Sequence, residues 1–88
     1  MVIELKGSLM TDRAAIHDCL QAQLQLPHYY GRNLDALFDL LTERTEATEI
    51  MVTEWEELEV HLGGYAASLM DTLYDAVKEN PALKIQVK

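Results

Sequence analysis

Residues 26–42 read LPHYYGRNLDALFDLLT, and the second half of this stretch has the pattern of an amphipathic helix. Asn33 is a residue type that caps helix N-termini, and Pro27 separates the stretch from the residues before it. Apolar residues then recur at spacings i, i+3, i+4 and i+7, at Leu34, Leu37, Phe38 and Leu41. The sequence therefore predicts a turn and a helix, the second of the chain, whose apolar stripe centres near Leu34 and Leu41.

The residues before this turn indicate a strand and a first helix. Met1 to Leu5 is short and largely apolar, and it is followed by the turn residues Gly7 and Ser8. Thr11 or Asp12 can cap a helix, and after them apolar residues recur at helical spacing up to Pro27. They are Ile16, Cys19, Leu20 and Leu24. Because Cys19 belongs to this stripe, we expect it to be a small buried apolar residue.

Two further strands are predicted in the second half of the chain. The run Ile50-Met51-Val52 is continuously apolar and contains β-branched residues, which suits a central strand covered on both faces. Residues 83–87 alternate apolar and polar side chains, as in a half-exposed edge strand. Three strands separated by helices favour an α/β fold with a three-stranded parallel sheet and right-handed crossovers.

Two more helices complete the predicted set of four. Thr53 and Glu56 have the Ser/Thr-x-x-Glu spacing of a capping box, which predicts a short third helix that ends at the Gly63-Gly64 pair. A fourth helix runs from Ala66 and must end before Pro81, because the residue ahead of a proline avoids the helical region. No linker or internal repeat interrupts the sequence, so we expect residues 1–88 to form one domain.

The chain is strongly acidic, with 15 Asp and Glu against 7 Lys and Arg and a formal net charge of −8. Such a charge repels nucleic acid and anionic membranes and attracts cationic surfaces, so we expect a basic protein partner. The alternative is that the charge only keeps the protein soluble. A single cysteine fits a reducing compartment, and no stretch resembles a signal peptide or a membrane span. We therefore expect a cytoplasmic protein.

Carboxylates gather on two of the predicted helices. On the second helix, four residues at i, i+3, i+4 and i+7 form one predicted exposed ridge: Asp35, Phe38, Asp39 and Thr42. On the fourth helix Asp71, Asp75 and Glu79 are spaced at i, i+4 and i+8, which also places them on one face. Like charges at i and i+4 cost a helix a few tenths of a kcal/mol, so folding does not require them. An ordinary solvated surface is the alternative, but the neighbouring Tyr29-Tyr30 pair favours a binding surface, with one of the two tyrosines buried.

An enzyme is a third possibility, with Asp35 and Asp39 as an acid–base pair or a hard-cation site. Glycoside hydrolysis needs two carboxylates across a cleft, and a metal site needs ligands that converge from several elements. A convex helix in a short chain offers neither. His17, His28 and His61 lack the spacing of a zinc or catalytic site, so we expect no enzyme activity, no metal and no cofactor.

Residues 26–39, LPHYYGRNLDALFD, closely resemble the signature of the barstar family of ribonuclease inhibitors, and a looser likeness covers nearly the whole chain. The resemblance implies three parallel strands in the order 1-2-3 with helices packed on them. It also implies a monomer that forms a one-to-one complex with a secreted ribonuclease of the barnase type, whose basic active site the second helix and the preceding loop fill. The protein would then be an intracellular inhibitor.

By this resemblance Tyr29 would stack over the catalytic histidine of the ribonuclease, and Asp35 and Asp39 would occupy the places of substrate phosphates. Asp75, with Glu79 after it, matches the acidic position of the family's fourth helix. Asn33 and Thr42, at the two ends of the second helix, complete the predicted contacts together with Phe38, which stands where the family has a tryptophan.

One segment departs from the family pattern. Glu43-Arg44-Thr45 stands where the family has a Gly-Trp-Val loop, which adds the cation Arg44 to the predicted contacts. An exposed arginine would repel a basic cleft. This residue therefore favours the alternative hypothesis, an acidic binding module for a basic partner that is not a nuclease.

Overall fold

Three strands and four α-helices alternate along the chain in the computed structural model, which describes residues 1–88. A short 3-10 turn, Gly7–Leu9, follows the first strand. The elements are β1 (Val2–Lys6), α1 (Arg13–Leu24), α2 (Leu34–Thr42), β2 (Thr48–Thr53), α3 (Trp55–Leu62), α4 (Gly64–Glu79) and β3 (Leu83–Val87). The predicted α/β class and the number of helices are confirmed.

The three strands form one parallel sheet in the order β1-β2-β3, as expected from the resemblance. Ile3 pairs with Ile50, which in turn pairs with Ile85, so the central row of the sheet is aliphatic. The connection from β1 to β2 and the connection from β2 to β3 both step in the same direction across the sheet. Two crossovers of the same hand that step in the same direction place their helices on the same face of the sheet.

The burial of the strands shows this one-sided arrangement. Along β2, Ile50 and Val52 are fully buried, whereas Glu49, Met51 and Thr53 are only half-buried. The prediction that β2 is covered on both faces is therefore wrong. A continuous apolar run does not reveal whether a strand has one covered face or two, because Met51 can lie half-exposed without a large cost.

The core lies between the covered face of the sheet and the helices. Leu20 and Leu24 from α1, Leu37 and Leu41 from α2, and Leu73 from α4 are almost completely buried. Each contributes about 2 kcal/mol through removal of its apolar surface from water. Leu34 is only half-buried, so the buried stripe of α2 centres on Leu37 and Leu41, not on Leu34.

Two of the predicted helix caps are confirmed. The Asp12 carboxylate accepts a hydrogen bond from the Ala15 N–H at 2.8 Å, and the Asn33 side chain accepts one from the Ala36 N–H at 2.7 Å. Each bond satisfies a backbone donor that has no partner within its own helix. Asn33 therefore fixes the first turn of α2.

The predicted capping box of α3 is wrong. The Thr53 hydroxyl donates to the Glu4 carboxylate at 2.7 Å, and Glu54, in a left-handed conformation with φ of 55°, precedes the helix instead. The Glu54 carboxylate accepts hydrogen bonds from the hydroxyl and the N–H of Ser8, at 2.6 and 3.2 Å. These bonds hold the 3-10 turn against the start of α3. They also lower the pKa of the Glu54 carboxyl from its usual 4.5.

Gly7 makes this contact possible. A Cβ atom at position 7 would lie 2.0 Å from the carbonyl oxygen of Glu54 and 2.9 Å from the N of Leu58. Both are backbone atoms, which a side chain could not push aside without moving the helix. The approach of the 3-10 turn to α3 therefore requires glycine.

The outer edge of β1 is partly covered by a side chain of α1. The Gln23 amide accepts from the N–H of Glu4 at 2.9 Å and donates to its carbonyl at 2.6 Å, as a neighbouring strand would. Cys19, beside Gln23, is half-buried instead of buried, and burial raises the pKa of its thiol. The prediction for Cys19 was therefore only partly right. No helix of the structure combines the length and the apolar character needed to cross a bilayer.

Candidate functional site

The turn that leads into α2 presents one tyrosine to solvent and buries the other, as predicted. The Tyr30 N–H donates to the Pro27 carbonyl at 3.0 Å, which closes the turn. Tyr30 is 5% exposed and Tyr29 is 73% exposed. An aromatic ring this exposed has no partner within the fold except the edge of His28, whose ring centroid lies 5.8 Å away. Tyr29 is therefore available to a partner.

The buried tyrosine is held by a histidine that the sequence did not single out. The Tyr30 hydroxyl lies 2.6 Å from Nδ1 of His17, and the Tyr65 hydroxyl lies 2.8 Å from Nε2 of the same ring. His17 is 2% exposed. Arg13 stacks on the outer side of Tyr65, with its guanidinium carbon 4.2 Å from the ring centroid. The turn, α1 and α4 are thus joined at one point.

Arg32 fixes the other end of the turn. Its guanidinium pairs with the Asp18 carboxylate at 2.7 Å and donates to the Gln21 side chain and the Ala14 carbonyl, at 3.1 and 3.2 Å. All three acceptors lie on α1. Arg32 itself has a φ of 56°, an uncommon conformation for a residue with a side chain. The ion pair therefore orients the turn and also neutralises a cation close to α2.

On α2, Asp35 and Asp39 are exposed and have no cationic partner. Phe38 and Thr42, which were predicted to share an exposed ridge with them, are half-buried. Phe38 packs against the core, and the Thr42 hydroxyl donates to the carbonyls of Phe38 and Asp39 at 3.0 and 3.1 Å. The exposed ridge is therefore narrower than predicted and consists chiefly of the two carboxylates.

Two shallow cavities flank α2 and show which residues the fold brings together. One, of about 370 Å³, is lined by Tyr29, Asp39 and Glu43 among others. The other, of about 300 Å³, is lined by Asp35 and Asn33, the latter at the start of the helix. Tyr29 and Asp39 thus share one depression, as a common binding surface requires, and Asp35 faces a second.

Helix α4 places a second row of carboxylates beside α2. Tyr65, near the start of α4, lines the same cavity as Asp35, near the start of α2. Asn80, just after the end of α4, contacts the last turn of α2. The two helices therefore lie side by side and run in the same direction. At about 100° per residue, Glu79 and Asp75 lie about 40° and 80° from Tyr65 around α4. Both are exposed, and both lie closer to Tyr65 around the helix than Asp71, at about 120°, does.

Asp71 turns away from α2. With Tyr74, Trp55 and Val87 it lines a cavity of about 310 Å³ on the opposite flank of α4. Of the three acidic residues predicted on this helix, Asp75 and Glu79 therefore lie closer than Asp71 to the side of α4 that carries Tyr65.

The C-terminal end of α2 depends on a buried asparagine that the sequence did not indicate. Asn80 is 6% exposed, and its amide nitrogen donates to the carbonyls of Leu41 and Arg44, both at 2.8 Å. Its side-chain oxygen accepts from the Ala82 N–H at 3.0 Å. Both N–H groups and the oxygen of the amide are thereby used, and the end of α2 is tied to the segment that leads into β3.

Arg44 is directed into the fold and not towards a partner. Its guanidinium donates to the Thr48 hydroxyl at 2.8 Å and to the Leu24 carbonyl at 3.0 Å, and it lies 3.9 Å from the Glu46 carboxylate. Only 15% of the side chain is exposed. The expectation of an exposed cation at the rim is corrected by these contacts, since Arg44 instead fixes the loop between α2 and β2.

The side chains on the surface of α2 and α4 decide what that surface can bind. No group of three or more His, Cys, Asp or Glu side chains is arranged to hold a metal ion. The carboxylates of α2 and α4 lie on convex helix surfaces, with an exposed tyrosine at one end. Chemically, such a surface can accept hydrogen bonds and ion pairs from several cations at once.

The fold and the surface together define a class of protein. It is a small α/β domain whose parallel sheet is covered by helices on one face, and its helices α2 and α4 present unpaired carboxylates beside an exposed tyrosine. Over residues 1–88 the chain matches the family described as Barstar (barnase inhibitor). The chain belongs to this barstar family. It is also 38% identical over 65 residues to a protein of Bacillus subtilis (strain 168) named "Putative ribonuclease inhibitor YrdF", a match that covers 73% of this chain and 71% of that protein.

Proposed function

We propose that the protein inhibits a secreted ribonuclease of the barnase type by inserting the acidic surface of α2 into its basic active site. The contact surface consists of Tyr29, Asp35, Asp39, Asp75 and Glu79. Asn33 shapes it as the cap of α2, and Phe38 and Thr42 contribute their exposed portions. Membership of the barstar family and the printed name of the Bacillus relative both support this assignment.

The observation that carries the proposal is the pair Asp35 and Asp39, exposed and without a cation of their own, on a helix fixed at both ends. A ribonuclease cleft is built to bind phosphates, so it offers arginines and lysines at phosphate spacing. Carboxylates are suitable replacements because they accept the same charge-assisted hydrogen bonds. The net charge of −8 also steers the protein towards a cationic cleft during the encounter.

The fixed ends of α2 matter for affinity. A loop or helix that is already ordered loses little conformational freedom on binding, so more of the contact energy appears as affinity. Arg32 and Tyr30 hold the turn before α2, and Asn80 holds its last turn. We infer that the complex is one-to-one and that residues 1–88 act as a single domain in it, in the cytoplasm of the cell that makes the ribonuclease.

Asp39→Asn tests the proposal, with Glu59→Gln as a matched control. Glu59 is also an exposed carboxylate, but it lies on α3, away from the proposed surface. Both variants change the net charge equally. Against a purified barnase-type ribonuclease, we expect Asp39→Asn to weaken inhibition of RNA cleavage about tenfold to hundredfold, the equivalent of one lost charged hydrogen bond. The control should stay close to the wild type.

The proposal would be refuted if the wild type left barnase-type ribonucleases uninhibited, or if the two variants had equal effects. The alternative function, binding to a basic protein that is not a nuclease, was favoured by an exposed Arg44. With the Arg44 guanidinium directed inwards, that support is lost. Capture of a basic non-nuclease partner, weakened by Asp39→Asn and not by Glu59→Gln, would nevertheless establish it.

A further inference from the structure

Arg13, the first residue of α1, is the one arginine of the chain that forms no ion pair. The guanidinium groups of Arg32 and Arg44 each lie beside a carboxylate, at 2.7 and 3.9 Å. Arg13 is exposed, and its guanidinium lies over the face of the Tyr65 ring, with its carbon 4.2 Å from the centroid. This contact uses none of the N–H donors of the guanidinium, so they are free to bind an anion.

The ring beneath Arg13 is itself fixed. The Tyr65 hydroxyl lies 2.8 Å from Nε2 of the buried His17, and Nδ1 of the same imidazole lies 2.6 Å from the Tyr30 hydroxyl. A guanidinium that stacks on an aromatic face keeps its N–H groups directed outwards in its own plane, where a carboxylate can bind two of them at once. Arg13 is therefore a cation held in place before binding, and it loses little conformational freedom when an anion arrives.

Arg13 and Asp35 face the same shallow cavity. It has a volume of about 300 Å³, and Arg32 and Tyr65 also line it. The charge of Arg32 is balanced by Asp18, whereas Arg13 and Asp35 form no ion pair, either with each other or with a third residue. One unpaired cation from α1 and one unpaired carboxylate from α2 therefore meet any partner that covers this cavity. A partner that offers only cations would be attracted by Asp35 and repelled by Arg13.

We propose that Arg13 determines which ribonuclease the protein binds, by pairing with a carboxylate at the rim of the ribonuclease active site, next to the basic group that Asp35 engages. This role of Arg13 rests on the proposed function, because Asp35 belongs to the proposed contact surface. The partner must then present an acid beside a base, in the order opposite to that of Arg13 and Asp35. A ribonuclease with a cation in the place of that acid is disfavoured, because like charges across an interface cost affinity.

The net charge of the protein makes a direct contact of Arg13 distinguishable from a solvated side chain. The chain carries a formal charge of −8, so removal of any cation strengthens its attraction to a basic cleft. Loss of a solvated Arg13 should therefore leave affinity unchanged or improve it. Loss of a paired Arg13 should weaken binding, since the carboxylate of the ribonuclease is left at the interface without its partner.

The experiment measures Kd and the dissociation rate at pH 7 for the barnase-type ribonuclease that the wild type inhibits most strongly. The variants are Arg13→Gln, Arg13→Lys and the control Lys84→Gln. Lys84 is an exposed cation of β3 on the face of the sheet opposite to the helices, and its substitution changes the net charge equally. We expect Arg13→Gln to raise Kd about tenfold, chiefly through faster dissociation, and Lys84→Gln to change Kd by less than about twofold. Arg13→Lys keeps the charge without the planar fork, so its Kd should lie between them.

A double-mutant cycle separates a direct contact of Arg13 from an indirect effect through Tyr65. Each Asp and Glu at the rim of the ribonuclease cleft is changed to its amide, alone and together with Arg13→Gln or Lys84→Gln. We expect one of these carboxylates to couple to Arg13 by about tenfold in Kd and none to couple to Lys84. An arginine that only supports Tyr65 would instead give additive effects with every one of them.

The role of Arg13 is refuted if Arg13→Gln binds as tightly as Lys84→Gln or more tightly, or if no carboxylate of the ribonuclease couples to Arg13. Inhibition by the wild type is unaffected by either result, so the proposed function would stand. If the wild type inhibits no barnase-type ribonuclease, the proposed function fails, and the role of Arg13 fails with it.

Discussion

Substitution of Asn80 by alanine or aspartate probes how the C-terminal end of α2 is held. The Asn80 side chain makes three hydrogen bonds, to the Leu41 and Arg44 carbonyls and from the Ala82 N–H, at 2.8 to 3.0 Å. A hydrogen bond of this kind contributes about 1 kcal/mol. Asn80→Ala should therefore lower the free energy of unfolding by about 3 kcal/mol, which corresponds to a fall in Tm of about 15 °C for a domain of this size.

Asn80→Asp should be worse than Asn80→Ala at neutral pH, although aspartate has nearly the shape of asparagine. The carboxylate keeps the bond from the Ala82 N–H but directs a charged oxygen at the two carbonyls that the amide had donated to. It also places a negative charge at the C-terminus of α2, where the helix dipole disfavours anions. The pKa of this carboxyl in the folded variant should consequently be raised above its unfolded value.

A raised pKa gives this variant a distinctive dependence on pH. The folded state then binds more protons than the unfolded state, so the variant should regain stability as pH falls from 7 towards 4. Asn33→Asp is a matched control, because it makes the same chemical change at the opposite end of the same helix. There the side chain accepts from the Ala36 N–H, where asparagine and aspartate cap equally well, and aspartate loses only the longer, exposed bond from the amide to the Gly31 carbonyl at 3.2 Å. Its effect at pH 7 should be less than about 0.5 kcal/mol.

The measurement is urea denaturation of the wild type and the three variants, followed by circular dichroism at pH 7 and pH 4.5. Asn80→Asp should be less stable than Asn80→Ala at pH 7, and the difference should shrink or reverse at pH 4.5. If Asn80→Asp were as stable as Asn33→Asp at pH 7, the carbonyls of Leu41 and Arg44 would not depend on the Asn80 amide. The explanation for the end of α2 would then be refuted.

Three further substitutions test other contacts that fix the fold. Gly7→Ala should lower the free energy of unfolding by about 3 kcal/mol or more, since the new Cβ meets backbone atoms of Glu54 and Leu58. Denaturant titration measures this loss, with Gly64→Ala as the control because a Cβ added there has open space. Glu54→Gln should remove part of the acid sensitivity of folding. Because the pKa of the Glu54 carboxyl is lowered in the folded protein, this group contributes stability that is present above pH 4.5 and lost below it. The Tm of the variant should therefore decline less than that of the wild type from pH 5 to pH 3. Arg44→Ala should lower Tm but leave the association rate with a ribonuclease almost unchanged, because the guanidinium is directed inwards; a clearly faster association would show that it repels the partner.

Local patterns in the sequence correctly predicted the elements that depend on contacts between residues close together in the chain. The caps at Asp12 and Asn33 each involve a side chain and a backbone N–H three residues away, so their spacing is visible in the sequence. The same holds for the periodicity of α2 and for the alternation in β3. Tyr29 and Asp39 were correctly placed together because the turn is short.

The contacts that the sequence missed join residues far apart in the chain. His17 is 13 residues from Tyr30 and 48 from Tyr65, and Asn80 is 39 residues from Leu41. No local pattern reports such pairs. The capping box failed for a related reason, since Thr53 found a partner in Glu4, on the neighbouring strand β1. A side chain that can satisfy a helix end can equally satisfy a distant group, and tertiary structure decides between them.

The two misjudged residues of the proposed surface, Phe38 and Arg44, have one physical explanation. A helix of nine residues that lies on a core buries more than its central stripe, so Phe38 and Thr42 at the margin become half-buried. Arg44 follows α2 closely in the chain, and its guanidinium reaches the last carbonyl of the neighbouring helix α1, at Leu24. Phe38 is thereby half-buried and the Arg44 guanidinium is directed inwards, whereas Asp35 and Asp39 stay exposed. The local folding of α2 therefore makes the surface more negative than its sequence alone indicates, which favours the binding of a cationic cleft.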